Sequence, residues 1–113
     1  MCEFQKLSFS EHGYVVRCQE CGHYQLAFGT TMLTLSNEDF KTLHGIVQQK
    51  YLSVCKNEAC VHEYGAEAKS VVISTPFTGM CIVVTRKELN HLNSMMENAD
   101  NEIQALIMME LFK

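Results

Sequence analysis

An apolar pattern that recurs at an offset of 49 residues constrains the fold of this chain more than any other feature. When residues 28–47 are laid over residues 77–96, apolar positions meet apolar positions, although only two residues are identical. In each copy, a β-rich segment follows a glycine-containing turn and precedes apolar residues at helical spacing. Unless the match arises by chance, each copy predicts a β-hairpin that leads into an α-helix.

Both predicted helices carry the same start signal. Ser36 stands three residues before Asp39, and Thr85 stands three residues before Glu88. In such a capping box, the hydroxyl accepts a hydrogen bond from an early helical N–H group, and the acid favours the positive end of the helix dipole. We expect the two helices to begin at these boxes.

The length of 113 residues allows one core and is too small for two independent ones. We therefore predict a single domain over residues 1–113, of the α+β class with an antiparallel sheet. Two pseudo-repeated hairpin-helix units, over about residues 14–50 and 62–98, share one core, and an extra strand opens the first unit. A C-terminal helix is predicted over about residues 101–112.

Neither predicted hairpin contains a lysine, an arginine or an acidic residue, since the runs 21–37 and 70–85 are uncharged. An exposed sheet face normally carries charge, so we expect both faces of each hairpin to be covered at least in part. On this interpretation Cys81, within the second hairpin, is a core residue. The runs are too short and too polar to cross a bilayer.

The predicted C-terminal helix is apolar over most of its circumference, which allows two interpretations. It packs in the core on more than one side, or it offers an adaptable, methionine-rich surface to a partner protein or a second copy of the chain. The residues concerned are Ile103, Leu106, Ile107, Met108, Met109, Leu111 and Phe112.

Charge and the N-terminal sequence restrict the partners and the location. Thirteen acidic and nine basic residues give a net charge of −4, which does not suit the counterion release that dominates nucleic-acid binding. The first residues lack the basic segment and apolar stretch of a secretory signal. We expect a cytoplasmic protein, whose cysteines are more suited to metal binding or to a free thiol state than to disulfides.

The segment Cys18-Gln19-Glu20-Cys21-Gly22 has the spacing of one half of a zinc ribbon. At the tip of a hairpin, such a turn directs two thiolates at one point, and the glycine lets backbone N–H groups face sulfur. Zinc in a structural site needs four ligands. The second half would come from Cys55, Cys60 and His62, whose spacing is looser.

Cys2 and His12 are further candidate zinc ligands, because the N-terminal segment can fold back over the turn. Two alternatives to a structural zinc site stay open. The cysteines are ordinary reduced thiols, or Cys18 and Cys21 form a redox pair. The redox alternative is weaker, because the pair joins two strands and no helix dipole lowers a thiol pKa.

The following segments occur in order along the chain: Gly13-Tyr14, Cys18-x-x-Cys21, Gln25-Leu26-Ala27-Phe28, the capped helix through Phe40, Pro76, the strand from Met80 to Val84, and Lys87-Glu88-Leu89. This order resembles an uncharacterised family of small bacterial proteins, mostly from the Bacteroidetes group. The resemblance covers most of the chain, and the family pattern includes the first cysteine pair. Because the family has no known function, the resemblance implies neither an activity nor catalytic residues.

No sequence motif of a catalytic site is visible. The leading hypothesis is a non-enzymatic cytoplasmic domain, stabilised by zinc or not, that binds a partner protein, a second copy or a small ligand. The first alternative is a small thiol- or metal-dependent enzyme. The second is a nucleic-acid-binding ribbon, which fits the cysteine turn and conflicts with the charge.

Overall fold

A computed structural model of the chain describes residues 3–56 and 69–111, apart from the side chains of residues 55 and 56. The elements within this part are β1 (Phe4–Ser10), β2 (Gly13–Cys18), β3 (Tyr24–Phe28), β4 (Thr31–Leu35), α1 (Asn37–Lys56), β5 (Val71–Ser74), β6 (Cys81–Val84) and α2 (Arg86–Leu111). Strands β1 to β4 form one antiparallel sheet in chain order, and β5 pairs with β6 in a second. The fold is α+β with antiparallel sheets, as predicted.

The described residues separate into two compact units. The first contains residues 3–40 and 94–111, and the second contains residues 41–56 and 69–93. The boundaries of the units lie inside α1 and α2, so each unit includes part of both helices.

In the first unit, one face of the four-stranded sheet is buried more completely than the other. Tyr24, Leu26 and Phe28 alternate along β3 with less buried residues, as expected for side chains that point to opposite faces. The buried helical residues of this unit are Phe40 from α1 and, from α2, Met95, Met96, Ala99 and Ile103.

Among the described residues, the hairpin of the second unit buries one face and leaves the other exposed, which corrects the predictions of cover on both faces and of a core position for Cys81. Val71 and Ile73 of β5 are buried, whereas Val72 between them is 49% exposed. Val83 and Cys81 of β6 are exposed as well. Cys81 is therefore a surface residue and not a core residue. Strand periodicity is the reason, because residues at odd spacing on β6 face opposite sides.

Both capping boxes form as predicted. The Asp39 N–H group donates to Ser36 Oγ at 3.1 Å. The second box is reciprocal, because Glu88 N–H donates to Thr85 Oγ1 at 3.0 Å and Thr85 N–H donates to Glu88 Oε1 at 2.8 Å. Lys69 also donates to the Glu88 carboxylate. The hydrogen bond from Lys69, followed by that from the Thr85 backbone, lowers the pKa of Glu88 below its usual value.

The C-terminal helix differs from the prediction in where it begins. No boundary separates the helix that starts after Thr85 from the segment predicted over 101–112, and α2 runs without interruption through Arg86–Leu111. No glycine or proline lies within these residues, so nothing in the local sequence ends the helix. Within the described residues, no helix combines the length and apolarity needed to cross a membrane.

Candidate functional site

The cysteine turn connects β2 to β3. Cys18 ends β2 and Tyr24 begins β3, and the Cys18 N–H group donates to the His23 carbonyl oxygen at 2.8 Å. Within the turn, Gly22 N–H donates to the Cys18 carbonyl oxygen at 2.9 Å. Gly22 has a φ of 77°, a left-handed conformation that glycine adopts without steric cost.

This turn places a backbone donor on sulfur. The Cys21 N–H group donates to Cys18 Sγ at 3.4 Å. A hydrogen bond to sulfur favours the thiolate, which is the form that binds metals. Cys18 is 1% exposed, whereas Cys21 is exposed. The two cysteines of the turn therefore differ in their access to solvent.

The other predicted zinc ligands are not all described. The backbone of Cys55 lies in the last turn of α1, and its side chain is outside the described set. Cys60, His62 and Cys2 lie outside the described residues. Among the described side chains, no group of three or more His, Cys, Asp or Glu residues could hold a metal ion. A site with four ligands stays a prediction.

His12 does not join the cysteine turn. It lies in the turn between β1 and β2, where its N–H group donates to Ser10 Oγ at 3.1 Å. The length of β2, about 3.3 Å per residue, separates it from Cys18. The N-terminal segment reaches the cysteine turn through β1 instead, where the Glu3 carbonyl oxygen accepts a hydrogen bond from Gln19 N–H at 2.9 Å.

A groove of about 430 Å³ lies beside this turn, within the first unit. Its polar lining is formed by Gln5, Arg17, Gln19 and Glu110. Gln5 of β1 and Arg17 of β2 are directly paired across the strands. Strand pairing and the turn therefore fix three of the four polar groups, and α2 supplies the fourth.

The apolar wall of the groove comes from the C-terminal part of α2. It consists of Ile103, Leu106, Ile107 and Met109. Ile103, Leu106 and Ile107 lie on one helix face, because residues three and four apart are neighbours on a helix. The solvent exposure of the wall increases along its length, since Ile103 is 8% exposed and Met109 is 64% exposed. The groove therefore runs from a buried end to an open one.

Arg17 occupies an unusual place for a charged residue. It pairs with Tyr24, which is on the buried face of β3, and its guanidinium carbon lies 5.8 Å from the centre of the Tyr24 ring. Arg17 Nε is buried and has no hydrogen-bond partner among the described residues. Burial raises the pKa of Tyr24, against the lowering effect of Arg17 and with a smaller raising effect of Asp100.

The end of α2 also exposes a second apolar surface. Ile107, Met108, Met109 and Leu111 are 49%, 57%, 64% and 75% exposed, respectively, in the single chain. We call these four residues the terminal apolar surface. Of the two interpretations of the C-terminal helix, core packing applies to Ile103, and exposure applies to these four.

DUF6686, a family of unknown function, matches residues 1–112. The chain belongs to the DUF6686 family. The match confirms the resemblance to an uncharacterised family, and the bacterial group stays a prediction. No curated protein and no solved structure matches the chain.

The DUF6686 family provides no assigned residues, so the candidate site rests on the chemistry of this chain. The sequence predicts the cysteine turn and the C-terminal helix as candidate sites, and it does not reveal the groove. Arg17 was not among the predicted site residues. The sequence signal for Arg17 was its position directly before the cysteine turn. A hairpin whose turn spans Cys18 to His23 places Arg17 opposite Tyr24 on the neighbouring strand.

Proposed function

We propose that this protein is an interaction domain, which binds a partner protein through the terminal apolar surface. The exposure of four large apolar side chains between residues 107 and 111, at the end of one helix, supports the proposal. Soluble monomers rarely expose large contiguous apolar patches unless these take part in binding. Methionine, which supplies two of the four side chains, adapts its shape to different partners.

The charge of the helix favours a basic partner over a second copy. Four acidic residues and no lysine or arginine lie between residues 94 and 111: Glu97, Asp100, Glu102 and Glu110. A second copy would bring the same acidic residues to the contact, where like charges oppose association. Glu110 also lies in the last turn, where the helix dipole favours a cation. A basic partner therefore suits this acidic part of α2 better than a second copy does.

The partner that fits these properties is an amphipathic helix with an apolar face and basic flanks. Such a helix places its apolar side chains on an exposed apolar surface and its lysines near the surrounding acids. A nucleic acid requires a positively charged protein surface, whereas this chain has a net charge of −4. We propose the cytoplasm as the location of this interaction.

A designed peptide tests the proposal. The probe is a fluorescent helix of leucine and lysine, about 18 residues long, with its leucines on one face. We expect it to bind the intact chain and to bind the Met108→Gln/Leu111→Gln double variant at least about tenfold more weakly, because apolar anchors dominate such contacts. Fluorescence anisotropy measures the affinities, and Gln104→Ala, on an exposed position of the same helix, is the control.

The peptide experiment has two outcomes that contradict the proposal. Equal binding of a scrambled peptide with the same composition means that charge alone accounts for the contact. A stable dimer in sedimentation, dissociated by the same double variant, makes a second copy the occupant of the surface. The glutamine substitutions add no charge, so a loss of binding reports the apolar contact.

We further propose that the cysteine turn binds a structural zinc ion, with additional ligands from outside the described residues. The hydrogen bond from Cys21 N–H to Cys18 Sγ supports this, because such bonds stabilise thiolate ligands. A reducing cytoplasm favours metal binding by a cysteine pair over disulfide formation.

Metal analysis of protein purified without added zinc tests this site. We expect about one equivalent of zinc per chain, lost on Cys18→Ser or Cys21→Ser because a structural site needs all of its ligands. Cys81→Ser is the matched control. Cys81 is exposed on the other hairpin, so this variant should keep the metal. If the wild-type protein contains no metal and is as stable as the Cys18→Ser and Cys21→Ser variants, the cysteines are ordinary thiols.

A further inference from the structure

We infer that the groove of the first unit binds a small carboxylic acid with an apolar body. This inference goes beyond the proposed partner contact, although Ile107 and Met109 belong to both the groove and the terminal apolar surface. The volume of about 430 Å³ lies within the range of small-molecule sites, about 300–1,000 Å³. Such sites combine an apolar lining with a few polar groups that fix the ligand, and this groove has both.

Arg17 identifies the charge of the ligand. A charged residue on the buried face of a sheet conflicts with core packing, and such conflicts concentrate at functional positions. Its Nε atom is buried without an acceptor among the described residues, which costs stability and marks Arg17 as a residue that core packing does not accommodate. Arg17 also lines the groove, where a carboxylate can accept hydrogen bonds from its terminal nitrogens. The guanidinium carbon lies 5.8 Å from the centre of the Tyr24 ring, a cation–π contact that helps to hold the side chain at the groove.

The wall from α2 determines the rest of the ligand. Ile103, Leu106 and Ile107 offer branched aliphatic side chains to the groove, without a polar group among them. An apolar body packed on this wall gains free energy in proportion to the area removed from water. Gln5 and Gln19 supply amide groups that can donate to a carboxylate.

Two sources share this ligand chemistry, and Glu110 distinguishes them. A free aliphatic amino acid has an ammonium group that Glu110 would attract, whereas a short fatty acid has only the carboxylate, which Glu110 would repel. Leucine and 4-methylpentanoate have the same carbon skeleton and differ only in the amine. 3-Methylbutylamine keeps the amine and lacks the carboxylate.

Calorimetric titration of the intact chain with these three probes tests the inference. We expect one or both acids to bind at millimolar concentration or below, and the amine not to bind. Arg17→Gln should weaken acid binding at least about tenfold, since charge-assisted bidentate bonds are lost. Arg17→Lys should give a smaller loss, because charge remains without the bidentate geometry. Glu110→Gln should weaken leucine binding and strengthen 4-methylpentanoate binding.

The outcomes separate cleanly. Tighter binding of leucine than of 4-methylpentanoate identifies the amino acid as the source, and the reverse order identifies the fatty acid. The inference is overturned if neither acid binds. It is also overturned if the amine binds as well as the acids do and Arg17→Lys binds all three probes as tightly as the wild type. Should Arg17→Gln fail to fold, Leu106→Gln, at a half-buried position that lines the groove and lies outside the terminal apolar surface, must weaken both acids. The Met108→Gln/Leu111→Gln variant should bind the acids normally, so this test and the peptide test fail independently.

Discussion

Replacing Gly13 with alanine should lower the free energy of unfolding by about 2–3 kcal/mol. A Cβ atom at Gly13 would lie 1.9 Å from the carbonyl oxygen of Ala27 on the neighbouring strand. Gly13 pairs with Ser10 on one side and with Phe28 on the other, so the backbone shift that relieves the clash disturbs both ladders of β2. Urea unfolding followed by far-ultraviolet circular dichroism measures the change.

Gly45→Ala is the matched control for this experiment. Gly45 lies inside α1, and a Cβ atom there meets nothing within 4 Å. The same chemical change should therefore raise the free energy of unfolding by about 0.5–1 kcal/mol, because alanine is the better helix former. A loss of stability in both variants, or in neither, would contradict the strand clash as the cause.

Local interactions explain why the helix starts could be predicted. The boxes Ser36–Asp39 and Thr85–Glu88 depend on residues three positions apart, and the structure shows the expected hydrogen bonds. The end of a helix was harder to place. A separate C-terminal helix was predicted from about residue 101, but no glycine or proline directly precedes it, and the helix that begins at Arg86 continues through it.

Tertiary pairing explains what the sequence could not show. The strand Phe4–Ser10 was not predicted, because only Leu7 is buried and an irregularity between Lys6 and Ser8 interrupts its alternation. Cys81 was assigned to the core because it lies inside a strand rich in β-branched residues. Which face is covered depends on packing against other elements, which periodicity within one strand does not reveal.

The candidate site divides in the same way. The cysteine turn follows from a short spacing and a glycine, and its hydrogen bond to sulfur is local. The groove joins Gln5, Arg17 and Gln19 to helical residues about ninety positions later in the chain. A sequence pattern predicts contacts over a few residues, so a site assembled from both ends of the chain requires the fold.

Replacing Phe40 with alanine should have the largest effect on stability, a loss of about 3–5 kcal/mol. Phe40 is 1% exposed, and its ring stacks on Tyr24 with centroids 4.4 Å apart. Tyr24 in turn donates its hydroxyl hydrogen to Asn37 Oδ1, the first residue of α1, at 3.2 Å. Removal of the Phe40 ring therefore leaves a cavity and loosens the contact between β3 and the start of α1.

Phe9→Ala removes the same atoms from an exposed position and is the control for Phe40→Ala. Phe9 is 60% exposed and stacks on Tyr14 at 5.3 Å, so its loss should cost about 1 kcal/mol or less. Urea midpoints and slopes for both variants measure the difference. Burial, and not ring stacking, must then account for the larger loss, since both rings stack on a tyrosine. Equal losses in the two variants would mean that the buried pair contributes no more to stability than the surface pair.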